Sequence, residues 1–370
     1  MYQKTDVVSN QKGDCFFIMY QVWKESVELP SVSELKKIPS ERITIKPFEP
    51  EKDGYVFLHG VALVKFKEKM YCSWAHNKIR ENSDDEEVNY AVSDDNGKTW
   101  SNCIRGRCAS ENNIAVSHGA FLVHNEKLYF FAPQYKGQLG KEMMNMAAFV
   151  FDEEKETFQY CGVAMNERFW PMCEPILMEN GNYIMAGIYV ASDYNSPDNT
   201  AAVAISRGHD IMHWDIVKLE RAENVSVWGE CSVIANGSFI SMYCRERSGK
   251  LKALYSESFD FGNTWTKIDL SNLPMIDSKP YAGVLSTGNR YLICSCANGI
   301  TQRNPLTIAL SKKGEEKFSK IFIIDEGKTL SYPYAIEFEN KLYVAYSSST
   351  QGANRNSAEL AIIDIADLDM

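Results

Sequence analysis

The sequence predicts an all-β fold, a six-bladed β-propeller with four antiparallel strands in each blade. Three observations predict it. A two-strand unit recurs six times, the composition speaks of strands and turns rather than helices, and one corner motif occurs twice.

The two-strand units read VALVKFKEKMYCSWAHN from Val61, AFLVHNEKLYFFAPQY from Ala120 and EPILMENGNYIMAGIYV from Glu174. The other three read CSVIANGSFISMYCRER from Cys231, GVLSTGNRYLICSCANG from Gly283 and AIEFENKLYVAYSSST from Ala335. Each is an apolar strand, a polar turn and a second strand rich in aromatics. Tyr71, Tyr129, Ile184, Ile240, Leu292 and Tyr343 hold matching places, in steps of 58, 55, 56, 52 and 51 residues. A further strand-turn-strand follows each copy, which makes four strands per repeat. Two separate β-sandwiches are the alternative fold, and the even sixfold period argues against them. The last short strand, AIIDIADL, has no unit after it, so a strand around CFFIMYQVW or ERITIKPF is expected to complete the ring, and residues 1–370 to form one propeller domain. SVSELKKI (31–38) is at most a short helix.

The corner motif is SDDNGKTW (93–100) and SFDFGNTW (258–265), with degenerate versions at 151–158, 206–214 and 311–318. It predicts a turn between the third and fourth strands of a blade. The Asp caps backbone N–H groups, Gly takes a positive φ, and Trp packs below. Asp95 and Asp260 are therefore read as structural, on the outer rim.

Bulk properties narrow the function. A chain of 370 residues with 45% hydrophobic content can bury a large core. No apolar run reaches the roughly 18 residues of a membrane span, so no membrane partner is expected. The N-terminus lacks the apolar core of a secretory signal; with Met1 as the native start, a cytoplasmic location is expected. The ten cysteines, Cys103 and Cys108 among them, form neither a zinc pattern nor a disulfide framework and read as reduced core residues. A net charge of -10 without a basic cluster argues against nucleic acid. No phosphate loop, dinucleotide fingerprint or nucleophile elbow occurs, so neither cofactor nor metal is expected. His209 and His213, four apart in a degenerate corner, read as surface residues.

In a propeller the innermost strands converge on the axis, and their entry ends line a funnel. The residue just before each repeat's first strand is His59, His118, Glu174, Glu230, Tyr281 and Tyr332 in turn. Six ionisable or phenolic residues at one equivalent position mark a functional ring. CRER places Arg245 and Arg247 near Glu230, and NGITQRNPL places Arg303 at the corresponding edge of the next repeat. Guanidinium forks suit a carboxylate, and a phenol beside a carboxylate suits a nucleophile facing an anionic sugar.

These residues and the twice-repeated corner resemble the sialidase superfamily over the whole length, the corner being that family's Asp-box. The order Glu230, Arg245, Arg303, Tyr332 is similar to the family's glutamate, two of its three carboxylate-binding arginines and its tyrosine nucleophile. The resemblance implies a retaining exo-glycoside hydrolase that releases a terminal, acidic sugar from an oligosaccharide or glycoconjugate. Tyr332 would attack the anomeric carbon and Glu230 would act as its base. Two places depart from the pattern. FLHG, with His59, stands where the third arginine is expected, and Arg80 is a candidate substitute. The acid falls in AHNKIRENSDDEEV, where Glu81 comes first, Glu87 and Asp85 after it, and Asp84 and Glu86 remain open. His59 and His118 are candidates for binding hydroxyls or for acid–base work. The alternatives are a glycosidase or lyase acting on rhamnose, an ulosonic or a uronic acid through a His/Glu pair, and a non-catalytic carbohydrate-binding propeller.

Overall fold

A computed structural model describes residues 19–102, 104–105, 113–349 and 356–368. Cys15, Cys103 and Cys108 lie outside them, as does the first half of CFFIMYQVW.

Six antiparallel sheets form the blades. Blade one comprises Phe57–Phe66, Lys69–Asn77, Glu87–Ser93 and Ile104–Arg105. In blade two the inner strand is broken into Ala115–Val116 and Ala120–His124, followed by Lys127–Lys136, Met143–Asp152 and Thr157–Met165. Blade three is alike, with Phe169–Pro171 and Ile176–Leu177 ahead of Tyr183–Tyr189, Thr200–Arg207 and Asp210–Lys218. Blade four comprises Val227–Asn236, Phe239–Glu246, Lys252–Ser258 and Asp269–Pro274. Blade five comprises Tyr281–Val284, Arg290–Cys294, Leu306–Ser311 and Phe318–Asp325. Blade six takes Thr329–Phe338, Lys341–Ser349 and Ser357–Asp364 from the end of the chain and Glu41–Lys46 from its beginning.

The inner strand of each blade packs on the blade before it, and Thr329–Phe338 against Phe57–Phe66 closes the circle. The ERITIKPF segment completes the last blade by pairing antiparallel with Ser357–Asp364. Ahead of it the chain skirts two other blades. Tyr20 bridges Ser271, Trp23 bridges Phe318, and Lys36–Lys37 pairs parallel with the outer strand of blade five. Only Val32–Glu34 of SVSELKKI is helical, a single 3-10 turn. Among the described residues no helix is long and apolar enough to cross a membrane.

A blade is covered on both faces by its neighbours, so its middle strands bury both sets of side chains. Met70 to Asn77 are buried without a break, and Leu128 to Tyr135 nearly so. That is why the second strand of each repeat reads as an apolar run rather than an alternation. Six of the seven described cysteines are buried; Cys161 is exposed on the outer strand of blade two, which corrects the reading of all as core residues.

The two corners are the same device. Asp95 accepts from the Thr99 amide at 2.8 Å and the Thr99 hydroxyl at 2.6 Å. Asp260 accepts from Thr264 in the same way, at 2.8 and 2.7 Å. Gly97 and Gly262 have φ of 85° and 82°, and their missing side chains matter twice. A Cβ on Gly97 would stand 3.0 Å from Leu360 of blade six, and one on Gly262 2.7 Å from Ile184 of blade three. Each corner thus seals its blade against the preceding one.

Candidate functional site

Five of the six ring residues sit where the ladders of the inner strands break, rather than ahead of those strands as the spacing suggests, while Tyr281 opens its strand in regular pairing with Ile293. Pairing slips between His59 and Ala62, between Val227 and Cys231, and between Ser331 and Tyr334. His118 and Glu174 sit in the interruptions of blades two and three. A bulge turns a side chain out of the pleat and lets strands pass the axis while still paired. Tyr332 has a φ of 56°, rare for a bulky residue, and this holds its ring off the line of the strand.

Three ring residues meet. Tyr332 donates its hydroxyl to Glu230 Oε1 at 2.7 Å, and Arg245 Nη1 donates to Glu230 Oε2 at 2.8 Å. The facing positions on paired strands, with Cys231 opposite Cys244, put Glu230 and Arg245 side by side. His59 stands edge-on to Tyr332, with ring centres 5.7 Å apart. Arg303 lies over the Tyr332 ring, its guanidinium carbon 6.0 Å from the centre. Above them opens a cleft of about 420 Å³ whose lining includes His59, Glu81, Arg245, Arg303 and Tyr332.

Burial, before the Glu230 charge, holds the Tyr332 phenol well above its ordinary range, so it rests protonated. Arg245 is raised despite its burial, chiefly by Glu230, and stays charged.

The acidic loop 78–87 resolves into separate tasks. Glu86 is buried and accepts from the Asn82 amide at 2.9 Å, Asn77 at 3.0 Å and Tyr135 at 3.3 Å. Asp85 accepts from the Lys78 amide at 2.7 Å, Glu87 from the Tyr55 hydroxyl at 2.8 Å, and Asp84 is exposed. Of the five acidic residues only Glu81 lines the cleft. Burial, with Glu230 second, pushes its carboxyl up to about 7.

The remaining expectations separate. Arg80 reaches the cleft rim and is exposed. Arg247 does not line the cleft; it stacks over Trp228 at 4.2 Å and braces it. His118 lies behind His59, with ring centres 4.8 Å apart, and packs on Trp170. Glu174 accepts from the Tyr281 hydroxyl at 2.6 Å, and neither borders the cleft.

The sequence reading missed Asp277, Tyr194 and Trp228. Asp277 is hydrogen-bonded through its carboxylate to Arg245 Nε, and its carbonyl accepts from Arg303 at 2.8 and 3.1 Å. Tyr194 donates to Glu230 Oε1 at 3.4 Å and accepts from Trp228 Nε1 at 3.0 Å. A register signal points to part of this. Glu81, Gln138, Tyr194, Arg303 and Asn356 all come from the connection between second and third strands of their blades, and all line the cleft. Among the described residues no cluster of three or more His, Cys, Asp or Glu is arranged to hold a metal.

Residues 71–344 match the family model of the BNR repeat-like domain. The chain belongs to that family. Solved structures share the fold at low identity. A Hadza microbial sialidase superposes with a TM-score of 0.69 at 13% identity, over 88% of this chain and 68% of that one. For the Trypanosoma rangeli sialidase with the inhibitor DANA the values are 0.67 and 16%, over 90% and 60%. For the NanB sialidase of Streptococcus pneumoniae they are 0.65 and 12%, over 90% and 71%. A Dyadobacter fermentans protein of unknown function aligns over 99% of its own length, with a TM-score of 0.69 at 13% identity. The chain spans about 60% of the trypanosomal chain. No curated protein matches in sequence.

Proposed function

We propose that this chain is a retaining exo-glycoside hydrolase of the sialidase type, releasing a terminal sugar from a glycan through a covalent tyrosyl intermediate. The observation that carries the reading is the 2.7 Å hydrogen bond from the Tyr332 hydroxyl to Glu230 below a cleft that also holds Glu81. A pure carbohydrate-binding surface has no use for a buried phenol–carboxylate pair.

In the first step the Tyr332 oxygen bonds to the anomeric carbon while its proton passes to Glu230. The bond from that carbon to the leaving oxygen breaks, and Glu81 gives the leaving oxygen its proton. In the second step the Glu81 carboxylate takes a proton from water as that water attacks the anomeric carbon. The tyrosyl bond breaks, and Tyr332 recovers its proton from Glu230. Two displacements give net retention. Arg245, hydrogen-bonded to both Glu230 and Tyr332, holds the pair in register and keeps Glu230 ionised in the resting enzyme, ready to take the Tyr332 proton. Arg303 presents the cleft with a guanidinium not neutralised by a carboxylate, since its own partner is the Asp277 carbonyl, and this favours an acidic sugar.

The test is a panel of aryl glycosides of sialic acid, other ulosonic acids, rhamnose and uronic acids, run beside Tyr332→Phe and Glu230→Gln. A fluorinated analogue of whichever sugar is turned over should leave a mass adduct on the peptide bearing Tyr332. Turnover that survives Tyr332→Phe unchanged defeats the mechanism. Binding of sugar without turnover of any glycoside supports the carbohydrate-binding alternative, and an unsaturated product absorbing in the near ultraviolet supports a lyase.

A further inference from the structure

His59 faces Glu81 across the cleft wall, with Nε2 3.7 Å from Oε1. That is close contact but too long for a hydrogen bond. The imidazole is 3% exposed and enclosed by rings: Phe57 at 4.7 Å, His118 at 4.8 Å and Tyr332 at 5.7 Å between centres. Its Nδ1 is buried with no hydrogen-bond partner among the described residues. Gly60 makes the packing possible, since a Cβ there would stand 2.1 Å from the His118 ring.

Nothing in this pocket supports an imidazolium. Burial drives His59 down to about 3 and His118 well below its ordinary value, His59 and the buried Lys279 lowering His118 further. Glu81 meets charge from several elements. Glu230 of blade four opposes its ionisation, and Glu81 in turn helps to raise the buried Glu86 of its own loop. Arg245 and Arg303 of blades four and five favour it, and Tyr194 and Tyr332 stand near as neutral phenols. Arg80 is next in the chain, at the rim. His59, in contact with the carboxyl at 3.7 Å, is not among the charges that act on it.

We propose that His59 is a positioning residue: an imidazole kept uncharged against Glu81, so that the carboxyl facing the leaving group keeps its proton until substrate takes it. A cation at that place would ionise Glu81 and leave the site with no acid. A carboxylate there would hold the proton too tightly. A neutral ring supplies bulk and excludes water from one side of the carboxyl without biasing it either way. This rests on Glu81 being the acid, so the test reads the carboxyl itself rather than turnover.

Infrared difference spectra of the full chain against Glu81→Gln isolate the carboxylic C=O stretch of Glu81, which vanishes on ionisation. The band should be present at pH 6 and titrate near 7. In His59→Arg its midpoint should fall by about two pH units or more, as a unit charge at this range requires. In His59→Gln it should stay within about half a unit. The upper limb of the kcat/KM profile should move with the midpoint, which loss of structure alone cannot produce. Nitrogen-15 spectra of the unmutated protein, with His59 assigned through His59→Gln, should show a neutral ring from pH 5 to 8, a reading independent of whether His59→Arg folds. Absence of the Glu81 band at pH 6, an unmoved midpoint in folded His59→Arg, or an imidazolium at residue 59 overturns the proposal. A failed fluoro-sugar trap with these titrations intact overturns the glycosidase mechanism and leaves the proton assignment standing.

Discussion

The corner carboxylate Asp95 and the cleft carboxylate Glu81 lie fourteen residues apart in one blade and end in opposite states. Asp95 is open to solvent, and hydrogen bonds from the Thr99 side chain and amide draw it down to about 2. Glu81 is drawn into a cleft wall and pushed up to about 7 by burial. Donors that satisfy a carboxylate in water make a permanent anion and a structural pin. Removal from water with no matching donor makes a carboxyl that can give up a proton near neutrality. Residue type predicts neither outcome.

The largest effect that sharpens this contrast is on the nucleophile. Tyr332→Phe should lower kcat/KM by about 10⁴-fold or more, while Asp95→Ala should leave it within about twofold. Steady-state kinetics on the glycoside found active in the panel checks both. Next is Glu81→Gln, expected to cost roughly 10² to 10⁴ in kcat on sugar leaving groups and far less on aryl glycosides whose phenols depart unaided. Equal losses on both would deny Glu81 its role as acid.

The pH dependence should separate the two carboxylates by sign. In the proposed mechanism Glu81 acts in its protonated form, so kcat/KM should fall as pH rises through about 7. Asp95 is lowered in the folded chain, so its stabilising contribution is present above the ordinary carboxylate range and lost as pH falls through about 2. Melting temperatures of wild type and Asp95→Asn should accordingly converge only in strong acid. The smallest effect is at the second corner. Asp260→Ala removes the hydrogen bonds from Thr264 and should cost about 1 kcal/mol, read as a lower urea midpoint at unchanged slope.

Much of the fold is legible because its signals are local. The six apolar strand pairs, the Gly and Asn turns and the S-x-D-x-G-x-T-W corners each depend on neighbours a few residues away. A closing strand could be expected at CFFIMYQVW or ERITIKPF because a ring must close, but nothing local says that ERITIKPF takes that place while the chain around Tyr20 and Trp23 runs along blades four and five. In the site, Glu230 and Arg245 were legible because a short turn joins their strands. Glu81 could be put first in its loop for its nearness to the strand exit, ahead of Glu87 and Asp85, but the sequence does not say that it alone of Glu81, Asp84, Asp85, Glu86 and Glu87 lines the cleft. Those five differ in what packs against them, Tyr135 on Glu86 and Tyr55 on Glu87, and both partners come from distant parts of the chain. Asp277 was invisible because nothing in LPMIDSKP says that its carboxylate meets Arg245 and its carbonyl meets Arg303.

The sequence by itself determined the repeat, the register of the blades and the order of Glu230, Arg245, Arg303 and Tyr332 along them, since periodicity and turn chemistry are short-range. Only the tertiary structure decided which side chains meet and which keep their protons. Contact between blades sets the 2.7 Å between Tyr332 and Glu230, and packing within blade one sets the 3.7 Å between His59 and Glu81. Burial at the axis then shifts the charge equilibria, driving the His59 imidazole down to about 3 and the Glu81 carboxyl up to about 7. Burial at the axis and the meeting of Tyr332 with Glu230 are properties of the closed ring, and no single blade contains them.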